Sequence, residues 1–263
     1  MPLCKALHNG KTNLVINIGI ALAKQGQRVF IIDADLGTAN VDVLLNLNVR
    51  YNLNHLATRE KEILDLVVEG PGGIHIIPGG SGLQSLANLD DYQFSRVLNS
   101  FKALEQYADV ILIDTGAGLS RNVLNFVLAA DEVIVVTTPE PHSITDAYAI
   151  LKVIDEQNHS LKTWLVVNKA EDKSEAQQIA DRMVGVANRF LRLKVTNLGY
   201  ILEDLAVPRA VKKLVPFTLA DPNSPAAKCL RQIAERLCQP ETIVSHPQSR
   251  SFFDRFRDLF MKK

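Results

Sequence analysis

Apolar residues in this chain follow two alternating patterns. Short, almost wholly apolar and β-branched runs recur: RVFIID at 28–33, GIHIIP at 73–78, DVILID at 109–114, EVIVVTT at 132–138, TWLVVN at 163–168 and NLGYIL at 197–202. Between them lie longer stretches with apolar residues at helical spacing, of which NLVINIGIALAKQG is the first. A strand without polar alternation is one covered on both faces, and the intervals leave room for a helix to cross to a parallel neighbour. The pattern predicts an α/β fold with a doubly wound, mostly parallel sheet. No repeat of fixed period and no low-complexity tract interrupts it.

Toward the end the pattern changes. Residues 1–238 read as the main domain, and QPETIVSHPQSRS at 239–251, polar and with two prolines, reads as a linker. FFDRFRDLFMKK at 252–263 follows. On a helical wheel Phe252, Phe253, Phe256, Leu259 and Phe260 share an arc of about 120°, with Arg255, Arg257, Asp258 and Lys262 outside it. Basic residues outnumber acidic ones there, which suits anionic lipid headgroups. Such a helix could dock its phenylalanines on the chain's own core, but placed after a proline-containing linker it is expected to be a membrane-targeting helix.

Composition narrows the picture. At 263 residues, 47% hydrophobic and 22% charged, the chain can bury a sizeable core. Lys plus Arg and Asp plus Glu both total 29, and no basic cluster stands outside the tail, so no nucleic-acid partner is expected. Cysteines at 4, 229 and 238 follow no ligand spacing, so neither a disulfide framework nor a zinc site is indicated and a reducing cytoplasm is expected. No long apolar run predicts a spanning helix, and the start lacks a charged-then-apolar export signal.

Ligands of open α/β sheets bind where strands end at their carboxyl side, and candidate chemistry concentrates there. DADLGTAN follows VFII, DTGAGLS follows VILI, and NKA follows WLVV. Gly10-Lys11-Thr12 stands directly before the first helical stretch, where amide groups can cradle a phosphate, a lysine can reach its oxygens and a hydroxyl can bind magnesium. The tripeptide alone is weak evidence, since Lys-Thr at a helix start also serves as a cap and a solvated charge. Asp114 suits a magnesium role, and Asp33 and Asp35, two apart in an extended chain, could share work around a metal-bound phosphate and a water. Each could instead cap a following turn. The coincidence of Lys11, Asp33, Asp35 and Asp114 at one sheet edge favours the phosphate reading.

Those residues, in that order, resemble the MinD/ParA family of P-loop ATPases over roughly residues 10–238. Within it, DADLGTANVDVLL, IIPGGSG, LIDTGAGLSRNVLNF, TTPEPHSITDAYA and PFTLADPNSPAA are most similar to the flagellar number regulators of the FlhG (YlxH) type. The resemblance implies an ATP hydrolase using ATP and Mg2+. It implies phosphate contacts from Gly10, Lys11 and Thr12, magnesium at the Thr12 hydroxyl with Asp114 at the Walker B position, and water activation by Asp35 with Asp33 beside it. Asn168 matches the residue that reads the adenine edge, and Asp204 fits the neighbouring base-pocket motif, with Leu202 replacing its proline.

The opening departs from the family. Aligned on Gly10-Lys11-Thr12, Ala6 takes the place of the signature lysine, and Leu7 and His8 take those of two glycines. No recognisable strand run precedes the loop, so the first strand of the sheet is expected to be missing. That would leave unpaired backbone groups inside the sheet, each costing about 1–3 kcal/mol. An altered or wrongly assigned start and weak ATP binding by residues 1–263 are the corresponding expectations.

The resemblance further implies an ATP-dependent homodimer, peripheral on the inner face of the cell membrane, working with flagellar assembly factors that include a signal-recognition-type GTPase. Without the activator segment common in FlhG proteins, action on that GTPase is less expected. The alternatives are a nucleotide-independent membrane adaptor derived from such an ATPase, and an ATPase for division-site or partition positioning. The damaged loop favours the adaptor; the retained aspartates oppose it.

Overall fold

A computed structural model describes residues 2–6, 11–35, 41–51, 55–56, 58–79, 91–116, 118, 120–239 and 251–261. Its strands are β1 (Pro2–Ala6), β2 (Val29–Ala34), β3 (Val68–Glu69), β4 (Ile74–Ile77), β5 (Val110–Thr115), β6 (Glu132–Thr137), β7 (Lys162–Ala170) and β8 (Val195–Leu202). Its helices are α1 (Lys11–Ala23), α2 (Val41–Leu44), α3 (Asp91–Ala103), α4 (Arg121–Ala129) and α5 (Pro141–Asn158). They continue with α6 (Lys173–Phe190), α7 (Ala206–Lys212), α8 (Phe217–Ala220), α9 (Pro225–Leu237) and α10 (Phe252–Met261).

The strands form one 8-stranded sheet in the order β3-β4-β2-β5-β1-β6-β7-β8. Every pairing is parallel except that of the short edge strand β3 with β4. Each apolar run of the sequence is a strand, and the doubly wound α/β fold is the one observed. The expected loss of the first strand is not. Pro2–Ala6 lies in the middle of the sheet, with Leu3 opposite Leu112 on β5 and Glu132 on β6. PLCKA has no β-branched residue and only 5 positions, so local propensity gives no signal. Its place comes from β5 and β6, whose facing edges would otherwise lack partners.

Alternation along the strands feeds two apolar layers. Phe30 and Ile32 of β2 and Ile111 and Ile113 of β5 face a layer completed by α3, α4, α5, α6 and α10. Val29 and Ile31 of β2 and Leu112 of β5 face the other, completed by α1, α2, α7, α8 and α9. A third arrangement of polar groups closes the amino ends of the strands. There the buried Glu132 carboxylate accepts from Lys162 Nζ at 2.9 Å and from Trp164 Nε1 at 2.6 Å.

The terminal helix takes the core-docked form. Phe252, Phe253 and Phe256 are 2–4% exposed and Leu259 and Phe260 pack partly against the same layer. Phe253 stacks on Phe101 at 5.5 Å between ring centroids, and Phe256 lies 4.4 Å from Phe126. Polar contacts frame these rings: Arg255 donates to the Ala129 carbonyl at 2.8 Å and pairs with Asp131, and Lys102 pairs with Asp254 at 2.8 Å. The phenylalanines expected to meet lipid therefore lie inside the protein in this structure, packed on the apolar residues of α3 and α4. The linker, beyond Gln239 and before Ser251, lies outside the described residues.

Candidate functional site

The helix α1 begins at Lys11, directly after the segment that follows the central strand β1. Beside β1 runs β5, ending at Asp114-Thr115, and beside β5 runs β2, whose Asp33 is in register with Asp114. Lys5 of β1 occupies the same row on the other side of Asp114. Alternation puts Asp33 and Asp114 on the face of Ile31 and Leu112, the face covered by α1. Both are 1% exposed. Two buried carboxylates side by side form an arrangement that a cation stabilises.

Local bonds explain how these residues are held. Asp33 accepts from the Asp35 N–H at 3.2 Å and from the Val41 N–H at 3.3 Å, so it ties the turn after β2 to the start of α2. The capping role open to it in the sequence is thus realised. Asp35 is half-buried and lies against Gly116 of the DTGAG segment. A Cβ at position 116 would come within 2.9 Å of Asp35 Oδ1, so any larger residue there would make the carboxylate shift. Thr12 is half-buried in the first turn of α1, and Gly10 lies outside the described residues.

The sequence reading passed over two residues at the next strand end. Thr138 follows β6 on the other side of β1 and is fully buried, yet its hydroxyl has no hydrogen-bond partner; the Glu140 Oε2 atom is buried in the same condition. The Thr138 backbone is held by Ser143, whose hydroxyl oxygen accepts from the Thr138 N–H at 3.0 Å. The signal was available: TTPE is a polar cluster at the carboxyl end of an apolar run, as DADL and DTGA are. Buried polar groups without partners are costly and collect where a ligand supplies the missing bond.

A cavity of about 680 Å³ opens beside this edge, with Asn13, Leu14, Asn168, Leu202, Asp204 and Phe217 in its lining. Asn168, 9% exposed near the end of β7, and Asp204 both line this cavity. The Asp204 oxygens, however, accept from the Ala206 N–H at 2.8 Å and the Ala226 N–H at 3.1 Å. Asp204 thus shapes the cavity wall by joining α7 to α9. Phe252, Phe253 and Phe256 lie on the opposite face of the sheet. Among the described residues no group of three or more His, Cys, Asp or Glu could hold a metal, so a metal here would need ligands from the hydroxyls and from its own anionic partner.

A family model described as an AAA domain matches residues 8–167. The antiactivator FleN of Pseudomonas aeruginosa is 36% identical over 228 residues, 87% of this chain and 81% of that protein. The chain belongs to the MinD/ParA family of P-loop ATPases. The flagellum site-determining protein YlxH of Helicobacter pylori is 31% identical, over 86% of this chain and 76% of its own. Among solved structures, the septum site-determining protein MinD of Pyrococcus horikoshii, complexed with Mg-ADP, has a TM-score of 0.71 at 22% identity, over 90% of this chain and 96% of its own. That likeness shows the fold: the family's parallel sheet is kept with its central strand.

Proposed function

We propose that this protein is an ATP-dependent dimerisation switch that regulates flagellar number or placement from the inner face of the cell membrane. The observation that carries the nucleotide part is the meeting of the start of α1, the Asp33–Asp114 row and the Asn168 cavity at one sheet edge. The presence of β1 answers the expectation of a missing strand, while Leu7, His8 and Gly10 of the loop lie outside the described residues. The donor set fits Mg-ATP: a buried, partnerless Thr138 hydroxyl offers bonding capacity, and the glycine at 116 lets Asp35 approach the end of β5 closely. Lys11 and Gly10 would meet phosphate, Thr12 and Asp114 would hold magnesium, and Asn168 would meet the base. Bound magnesium would neutralise phosphate charge. Asp35, which lies close to Gly116, would orient a water and accept its proton, with Asp33 fixing the turn that carries it.

The flagellar part rests on FleN and YlxH being more similar than the septum protein MinD of Bacillus subtilis, at 28% identity. Flagellar assembly factors, with a signal-recognition-type GTPase among them, are the partners this reading names. The membrane part rests on the amphipathic α10, which would have to leave its groove on α3 and α4. No helix among the described residues is long and apolar enough to cross a membrane, so attachment would be peripheral.

The test is light scattering and phosphate release with Mg-ATP, comparing the full chain with Lys11→Ala and Asp35→Ala. The switch reading expects a dimer with ATP, lost in Lys11→Ala and prolonged in Asp35→Ala. A chain that stays monomeric and binds no ATP would be the nucleotide-independent adaptor. Co-sedimentation with anionic vesicles, with and without ATP and with Phe260→Glu, tests the anchor; equal binding by wild type and variant would refute it.

A further inference from the structure

Asn17 stands in the apolar stretch LVINIGI and is 0% exposed, facing the cluster formed by α1, α8 and α9. An amide in such surroundings is costly unless bonded. Its Oδ1 accepts from the Thr218 N–H at 3.0 Å and from the Thr218 hydroxyl at 2.7 Å, and its Nδ2 donates to the Asn13 carbonyl at 2.7 Å. Because a backbone N–H can only donate, the oxygen must face α8, and the amide has one orientation.

The two ends of this link both reach the cavity. Asn13 and Leu14 of α1 line one side, and Phe217, the neighbour of Thr218, lines another. Thr218 is itself 8% exposed, so the link is shielded from water. It joins residues 201 positions apart, clamping the segment PFTLADP onto the helix that begins at Lys11. An apolar pair would fill this space without fixing a register; a satisfied polar pair accepts one alignment.

We propose that Asn17 and Thr218 are a positioning bridge that sets the base cavity against the phosphate end of α1, so that they govern affinity for the base of a nucleotide and not for its phosphates. This rests on the nucleotide reading above. Neither residue lines the cavity itself, and both act through Asn13 and Phe217.

The test compares Mg-ATP with Mg-tripolyphosphate by calorimetric titration of the full chain, wild type against Thr218→Val, Thr218→Ala and Thr218→Ser. Losing the hydroxyl in Thr218→Val is expected to weaken ATP about five- to tenfold, with tripolyphosphate changed by less than about twofold. Thr218→Ser, which keeps the hydroxyl, should match wild type. Thr218→Ala gives the same comparison should valine not fold. Equal weakening of both ligands, no weakening of ATP, or a serine variant as poor as the valine one would overturn the bridge. Wild type that binds tripolyphosphate without ATP, or neither, would instead overturn the nucleotide reading, and the bridge's role with it.

Discussion

The two faces of the sheet are built on different terms. Both faces bury polar groups, Asp33, Asp114, Asn168, Asn17 and Thr218 on the α1 face and Ser143 and Asp155 of α5 on the α10 face, but stacked rings such as Phe101, Phe126, Phe252, Phe253 and Phe256 crowd the α10 face. Apolar contacts are non-directional and tolerate exchange at similar volume. Buried polar groups must keep their partners, so each bond on the α1 face restricts how the strand ends and the cavity are arranged. The rings around α10 therefore supply cohesion, and the polar bonds at the strand ends of the α1 face supply geometry at a cost in stability that a ligand can offset.

Substitutions on the α10 face should move stability most. Phe256→Glu would put a charge among Phe126, Phe252 and Phe260, and a loss of about 3–5 kcal/mol, or release of α10, is expected. Chemical denaturation and binding of a hydrophobic dye would read it; an unchanged midpoint and no dye binding would mean that α10 does not depend on this groove. On the α1 face the order reverses. Asp114→Asn should shift stability by about 1 kcal/mol or less yet weaken Mg-ATP more than about tenfold, since it removes charge where magnesium is proposed. A variant with wild-type affinity would separate Asp114 from the metal.

Gly116→Ala sharpens the contrast at a single atom. The added Cβ would displace the Asp35 carboxylate, so turnover should fall with little change in ATP affinity. A matching fall in affinity would mean that the DTGAG segment holds the nucleotide and not Asp35. At the amino ends of the strands, Glu132→Gln should cost about 1–3 kcal/mol by breaking the charged bonds from Lys162 and Trp164. Trp164 is the 1 tryptophan of the chain, so its emission reports the change directly.

The central part of this fold was legible because strands covered on both faces write continuous apolar runs, and Asp33, Asp114 and Asn168 follow such runs directly. The two chain ends were not. PLCKA is too short and too poor in β-branched residues to show itself, and its place is dictated by neighbours more than a hundred residues away. In α10 the opposite holds: the periodicity is plain, but it marks an apolar face without saying what covers it. Thr138 and Glu140 went unread because their cluster carries no glycine-lysine signature, and the roles of Asn17 and Asp204 depend on bonds to residues distant in the chain.

The smallest effect expected lies on neither face. Arg28 and Asp109 pair at 2.7 Å where β2 and β5 begin, and the Arg28 guanidinium, with the Arg28 N–H, holds the Asp109 carboxyl down to about 2. A carboxyl depressed in the folded state adds stability above its ordinary titration range, and that contribution fades as pH falls from about 4 toward 2. The pair is largely exposed, so solvent and salt screen it. Asp109→Asn should therefore lower the melting temperature near neutral pH by less than any substitution above, and the difference from wild type should shrink in acid and in high salt. A loss that persists unchanged at low pH would mean that Asp109 acts through its bond to the Arg28 N–H, as part of the strand start, and not through its charge.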